Sequence, residues 1–274
     1  MPAALAATNL QHGLAARDDT LNLYSGQGSL RAATTPAYGR VYDHQIVAAV
    51  RRVTEGTDWK VPGVIDWSQY THNPHVDVTK DTTTLYASDR DVYMFLVDDC
   101  HPISIGKLAN GDDDLLFRGF YVWNSEVGAG TFGLSTFYLR GVCQNRCLWG
   151  VEQQATIKLR HSKYAPQRLA SEIFPALRQF AQGDSKLIFE GVRQAKASIV
   201  ATTVDERLIF LQGHGFSKPE AKAITAIVLV EELHSAASVW DFVQGITAYA
   251  RGKTYQDARL ALEIRAGKLL DKVA

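Results

Sequence analysis

Cysteine is nearly missing from this chain. Three residues, Cys100, Cys143 and Cys147, occur in 274, an odd number that argues against a disulfide framework and for a reducing, intracellular setting. Net charge is also missing: 29 Lys and Arg stand against 29 Asp and Glu, with a pI near 7.1. A protein that coats duplex DNA by bulk charge is thereby excluded, and any nucleic-acid contact has to be a local patch. There is no long hydrophobic run. The apolar stretch around Ala226–Val230 is far short of the roughly 20 residues that span a bilayer. The first 20 residues lack the basic leader and apolar core of a signal peptide. No phosphate loop, dinucleotide fingerprint or HExxH is present, and neither are internal repeats or low-complexity segments. No cofactor is expected and no membrane association.

What the chain does have is concentrated between residues 115 and 168. That fifth of the length holds seven Lys and Arg (Arg118, Arg140, Arg146, Lys158, Arg160, Lys163, Arg168) against Glu126 and Glu152, and nine of the 27 aromatics. Cations interleaved with rings suit a single strand of nucleic acid, the charges following phosphates and the rings stacking on unpaired bases. Buried strand aromatics beside merely solvated charges would give the same composition.

The pattern predicts an α+β fold: a mainly antiparallel sheet in the N-terminal and central part, with a helical half packed on it. Residues 1–35, weakly periodic, read as an irregular arm ending near Arg31, Tyr38 and Arg40. Residues 36–165 read as the β-rich part, opened by an amphipathic helix over 42–53 that carries Arg51 and Arg52 on its outer face. Val92–Val97 suits a central strand buried on both faces. Phe117–Trp123 alternates, with Phe117, Tyr121 and Trp123 to one side and Arg118, Phe120 and Val122 to the other. A glycine-bearing turn at 124–130 leads to a strand over 132–142, with Tyr138 and Arg140 on one face. In 156–160 Ile157 and Leu159 point inward, Lys158 and Arg160 outward. Paired side by side, these two strands would set Arg140, Lys158 and Arg160 on one surface with Tyr138 between them. Residues 166–274 read as helical, with capping boxes at Thr203–Glu206 and Ser217–Glu220.

Other constellations are weaker. Cys143 and Cys147 with Cys100, His101 and His161 supply only one close pair where structural zinc wants two. His72, His75 and Asp77 flank a proline turn and could be ligands or plain surface. Ser125 and Cys143 lack an evident base, and Asp98, Asp99, Asp112–Asp114 and Glu126 would have to converge to hold catalytic metals. The helices around Gly213–Ser217 are arranged like a helix-turn-helix, but the second is apolar nearly all round, unlike a reader of base edges.

Three strings carry a family likeness: Asn124-Ser125-Glu126, Arg140-Gly141-Val142-Cys143-Gln144-Asn145, and Arg160-His161. Trp240-Asp241-Phe242 with Ile246-Thr247 adds a fourth. Over residues 30–270 the chain resembles the phage/plasmid-like protein family of domain of unknown function 932, departing from it at Arg146, where the family has glycine. More narrowly it is similar to single-stranded-DNA-binding cofactors of RNA polymerase from podophages that carry a virion RNA polymerase. The resemblance implies single-stranded DNA and a phage RNA polymerase as partners, action in the host cytoplasm, and a transcription role at melted promoters.

The expected function is therefore sequence-tolerant binding of single-stranded DNA without enzymatic activity. Arg118, Arg140, Arg146, Lys158, Arg160 and Lys163 would meet phosphates, with His161 beside them and Tyr138, Trp149 and Tyr164 stacking. A metal-dependent nuclease or phosphodiesterase, or a duplex-DNA regulator using the helical half, are the alternatives. A homo-oligomer is compatible with the sequence, with Trp240 or Tyr249 as the expected contact.

Overall fold

The computed structural model describes residues 1–14, 21–60, 64–66, 71–73, 85–87, 91–98, 100–108, 111–141, 145–147, 157–165, 168, 171, 175, 186–254 and 256–272. Helix α1 (Ala3–Gly13) and the hairpin β1 (Asn22–Gly26)–β2 (Ser29–Thr34) come first, then α2 (Asp43–Thr54). The strands follow: β3 (Trp59–Lys60), β4 (Val64–Asp66), β5 (Thr71–Asn73), β6 (Leu85–Ala87), β7 (Val92–Asp98), β8 (Ile103–Lys107), β9 (Asp113–Asn124), β10 (Phe132–Arg140), β11 (Asn145–Cys147) and β12 (Ile157–Leu159). The helical half comprises α3 (Lys186–Ala197), α4 (Val204–Gly213), α5 (Lys218–Glu231), α6 (Val239–Arg251) and α7 (Gln256–Leu270). The protein is α+β. In place of an irregular arm, residues 1–34 contain a helix and a hairpin, joined by the Ala3 N–H bond to the Gly28 carbonyl. The hairpin turns at Gln27-Gly28, both at positive φ, the geometry that right-twisted strands require of a tight turn.

The main sheet is antiparallel in the order β11-β10-β9-β7-β3, with β12 on β10, β6 on β7 and β8 on β9. Because strand side chains alternate, register decides the face of every residue. Tyr138 pairs with Arg118 and Arg140 with Leu116, so Leu116, Arg118, Phe120, Val122, Leu134, Tyr138 and Arg140 share one face. At one end of that face α2 lays Ile46 and Val50 on Phe120, Val122, Phe132, Leu134 and Leu159. At the other end Leu116 and Tyr138 meet Trp240, Phe242 and the rest of the helical core. The opposite face carries Phe95, Phe117, Tyr121, Phe137 and Leu139 with Leu260 of α7. There Gly133 sits opposite Trp123, and a Cβ at this position would collide with the indole; glycine is what lets the ring lie across the neighbouring strand.

This register corrects the expected binding surface. The β10–β12 ladder aligns Phe132 with Leu159 and Gly133 with Lys158. Leu159 therefore joins the face of Arg140, and Lys158 lies on the other. Tyr138 and Arg140 share a face as expected, and the register adds Arg118 to it, but all three are buried and are not surface contacts for DNA. Tyr138 lies among the helical core residues, where burial pushes its hydroxyl up to about 12. Arg140, 4 % exposed, has its Nε and Nη2 2.8 and 3.0 Å from the two oxygens of Asp114 and its Nη1 2.6 Å from Glu232. Lys196 of α3 adds a third tie, 3.2 Å from Asp114. A fork-on-carboxylate pair is the strong form of a buried ion pair, and here it joins two strands to α3 and to the end of α5.

The helical half is set by its caps. Thr203 with Glu206, Ser217 with Glu220, and Ser238 with Asp241 form three reciprocal capping boxes. The Glu206 carboxyl falls to about 2 because it accepts from the Thr202 and Thr203 backbone N–H groups. Helix α6 is buried along most of its length. Trp240, expected as an exposed contact, is 3 % exposed, and Tyr249 is partly buried against the same core. Trp240 belongs to the interior of the fold, while Tyr249 keeps part of its ring at the surface.

Removing one partner of a buried ion pair strands the other in low dielectric, at a cost of about 3–5 kcal/mol. Arg140→Ala is expected to lower the unfolding free energy by that much in urea titrations. A change below about 1 kcal/mol would mean the group is solvated.

Candidate nucleic-acid interface

The exposed cations of the central stretch lie at the edge of the sheet, where the chain leaves β12. Lys158, Arg160 and Lys163 are exposed, and none has a carboxylate partner among the described residues. Tyr164 is 59 % exposed, with the Lys163 ammonium 4.9 Å from its ring centroid. Ala165 turns back under the loop into the core shared with Ile46 and Val50 of α2. Arg168 is exposed a turn further on.

The loop owes its position to a close approach between 38–40 and 161–163. Tyr38 forms an isolated bridge with Ser162, and the Gly39 N–H donates to the His161 carbonyl at 3.2 Å. Any Cβ on Gly39 would overlap the Ser162 carbonyl, so only glycine allows the two backbones this near. His161, 8 % exposed, stacks on Tyr38 with centroids 4.9 Å apart, and its Nδ1 lies 3.2 Å from the Gly39 carbonyl. A bond to a carbonyl requires Nδ1 to be the donor, which fixes the tautomer, and burial pushes the imidazole pKa below its ordinary value. His161 was expected to face DNA; it is a buried brace behind the loop.

A second set of groups steadies 38–43 from the other side. The Arg40 guanidinium lies 4.3 Å from the Tyr24 ring centroid and 5.3 Å from that of Tyr38, and it donates to the Glu126 carbonyl. The Tyr38 hydroxyl donates to the Ser125 carbonyl at 3.0 Å. Glu126 accepts from the Tyr24 hydroxyl at 2.8 Å and from the Asp43 N–H at 2.7 Å. Its negative charge thus sits on the N-terminus of α2, where the helix dipole favours it. Asn124, buried at the end of β9, donates to the Val41 carbonyl at 2.9 Å and to Asp43 at 2.6 Å. Burial pushes the Asp43 carboxyl up and the Asn124 bond partly offsets this. Asn124, Ser125, Glu126 and His161 therefore converge on one segment. All four serve to hold Tyr38–Asp43 and the loop behind it.

The remaining expected residues do not join this site. Arg146 pairs with Leu139 in the β10–β11 ladder, but its side chain lies outside the described residues, as does the whole of Trp149. His75, Asp77, Asp99 and Cys143 also lie outside them, and His72 is described only as backbone in β5. Asp98 accepts from the backbone of Cys100 and His101, Asp113 pairs with Lys107, Asp114 holds Arg140, and Glu126 caps α2. Those carboxylates thus serve four separate places. Among the described residues no three His, Cys, Asp or Glu side chains form a metal-binding group. Tyr24 and the Asp43–Glu126 contact were not foreseen, because their partners lie 83 to 102 residues away. No family model, curated protein or solved structure matches this chain.

The His161 imidazole binds its proton less readily in the folded chain than its ordinary 6.5. The unfolded chain therefore takes up more protons just below that pH, and stability falls as pH drops from 6.5 through the folded value. Thermal midpoints of the wild type should decline across that window, and His161→Asn should flatten the decline. An equal slope in both proteins would remove His161 as its source.

Proposed function

We propose that this protein binds single-stranded DNA, without reading its sequence, through the edge loop 158–164. One observation carries the proposal: Lys158, Arg160 and Lys163 are exposed within six residues and free of carboxylate partners among the described residues, while Tyr164 presents its ring beside them. Arg140 and Arg118, cations of the same 115–168 stretch, are buried in the fold instead. Cations at this spacing can follow successive phosphates, and a phenol ring offers a base a face to stack on. Contacts to phosphates and to the π-face carry no base identity, which makes the binding sequence-tolerant. A strand is better suited than a duplex, because a short segment with one ring offers no helix or ribbon to fill a groove.

The wider role, a transcription cofactor that holds melted DNA and recruits a phage RNA polymerase, follows from the sequence resemblance. Co-purification of such a polymerase with the tagged protein is its direct test. No helix among the described residues is long and apolar enough to cross a membrane.

Each phosphate contact to a single strand contributes about 0.7 to the slope of log affinity against log salt. The triple variant Lys158→Ala, Arg160→Ala, Lys163→Ala should weaken binding to a thymidine oligonucleotide and to mixed-sequence strands alike, and shallow that slope by about 2. Tyr164→Ala should cost about 1–3 kcal/mol if one base stacks there. An unchanged slope in the triple variant sinks the assignment. Magnesium-dependent cleavage of the oligonucleotide by the wild type would favour the nuclease instead.

A further inference from the structure

Helix α2 buries one side and turns the other to solvent. Ile46 and Val50 pack on the sheet. His44, Val47, Ala48, Arg51, Arg52 and the capping Glu55 follow the three-and-four spacing of a single helix side, and all of them are exposed. Neither arginine has a carboxylate partner among the described residues, although Glu55 lies close by in the chain. Along this stripe runs a hollow of about 720 Å³, lined among the described residues by the same side chains and Thr54. Clefts that receive ligands span ~300–1,000 Å³, so a nucleotide can enter it.

A chain of ring contacts joins the stripe to the 158–164 loop. His161, at the root of the loop, lies on Tyr38 with centroids 4.9 Å apart. The Arg40 guanidinium bridges Tyr38 and Tyr24, 5.3 and 4.3 Å from their centroids. Tyr24 meets Tyr42 edge-on at 6.1 Å, and Tyr42 stacks on His44 at 5.6 Å. His44 opens the exposed stripe. Loop and helix meet again where Ala165, next after Tyr164, joins Ile46 and Val50 in one core. The two sets of cations therefore flank a single segment, Tyr38–His44, which holds loop and helix in a fixed relation.

The stripe repeats the chemistry of the loop. Arg51 follows His44 by about 10 Å along the helix axis, so an exposed ring precedes two cations, as Tyr164 accompanies Lys158, Arg160 and Lys163. A polyanion with unpaired bases is the ligand such a combination suits, and a guanidinium fork matches phosphate oxygens. The acids at the start of α2 are already engaged: Glu126 accepts from Tyr24 and from the Asp43 N–H, and Asp43 accepts from Asn124. Resting on the assignment of single-stranded DNA to the loop, we infer that the bound strand continues from the loop onto α2. There His44 stacks on a base, and Arg51 and Arg52 meet phosphates.

Salt titrations of the full chain with a long thymidine oligonucleotide, begun at low salt, test this. Arg51→Ala with Arg52→Ala should shallow the slope of log affinity against log salt by about 1.4, two contacts at about 0.7 each. Arg51→Lys with Arg52→Lys keeps both charges and should keep the slope. His44→Ala should weaken binding about fivefold or more. Separate contacts add, so the alanine pair should remove a further slope of about 1.4 from the Lys158→Ala, Arg160→Ala, Lys163→Ala variant. If it is silent on that background, the arginines act only by steadying the loop, and the inference is overturned. If it is silent in the wild type while the loop variant shallows the slope, the inference is overturned and the loop assignment stands. The reverse pattern overturns the loop assignment and, with it, the joined path.

Discussion

The buried guanidinium of Arg140 constrains this fold more than any other single group. Its charge cannot be left alone in low dielectric, so Asp114 and Glu232 converge on it, and Lys196 shares the Asp114 carboxylate. They come from β9, from the end of α5 and from α3, which ties the sheet to the helical half. Net burial of ions is not in itself a large source of stability; what the cluster supplies is a fixed arrangement. The Trp240 indole, 5.8 Å from Arg140 and 5.7 Å from Lys196, packs on the same group. Once Arg140 points into this junction, strand alternation sends Tyr138 and Arg118 after it. That face of the sheet is closed to any ligand at the end where its cations lie.

At the other end of the same face the groups behave differently. There α2 covers the sheet, and its entry segment is held by Asn124 and Glu126 from one side and His161 from the other. These are residues of the strings on which the family resemblance rests. Their placement shows that such a motif can mark a structural joint: an amide, a carboxylate and an imidazole that fasten a crossing chain. The joint has a functional consequence under the proposed reading. The 158–164 loop is presented by the Gly39–Ser162 approach and the Tyr38–His161 stack, so the geometry of the cations depends on a bracing set that itself touches no DNA.

Much of this was legible in the sequence. Period-two alternation gave the two faces of β9 correctly, and the capping boxes at Thr203 and Ser217 marked the starts of α4 and α5. The shared face of Tyr138 and Arg140 was also right. What failed was the step from neighbouring strands to a common surface. A shift of one residue in pairing moves a whole strand to the other face, and nothing local in 156–160 specifies that Lys158 falls opposite Gly133. Burial of Arg140 was hidden for a related reason, since its carboxylates lie 26 and 92 residues away. Trp240 was misplaced because a helix with several aromatics reads the same whether it is a core helix or a contact surface. In 1–34, short elements and small residues left too little periodicity to show the helix and hairpin.

A chain with no net charge can still hold a polyanion because electrostatics in salt is local. At physiological ionic strength the screening length is about 8 Å, so a surface carboxylate two or three such lengths away contributes little at the phosphate. The sum of 29 cations and 29 acids therefore decides solubility and non-specific adhesion, whereas affinity is decided by which cations are already paired. Arg140, Lys196 and Arg259 are engaged with Asp114, Glu232 and Glu263 inside the fold. Between residues 157 and 165 there are three cations and no acid. Each internal pair withdraws a cation together with its acid and leaves the overall balance at zero, so the patch is a matter of local placement: no carboxylate stands within 157–165 to offset Lys158, Arg160 or Lys163.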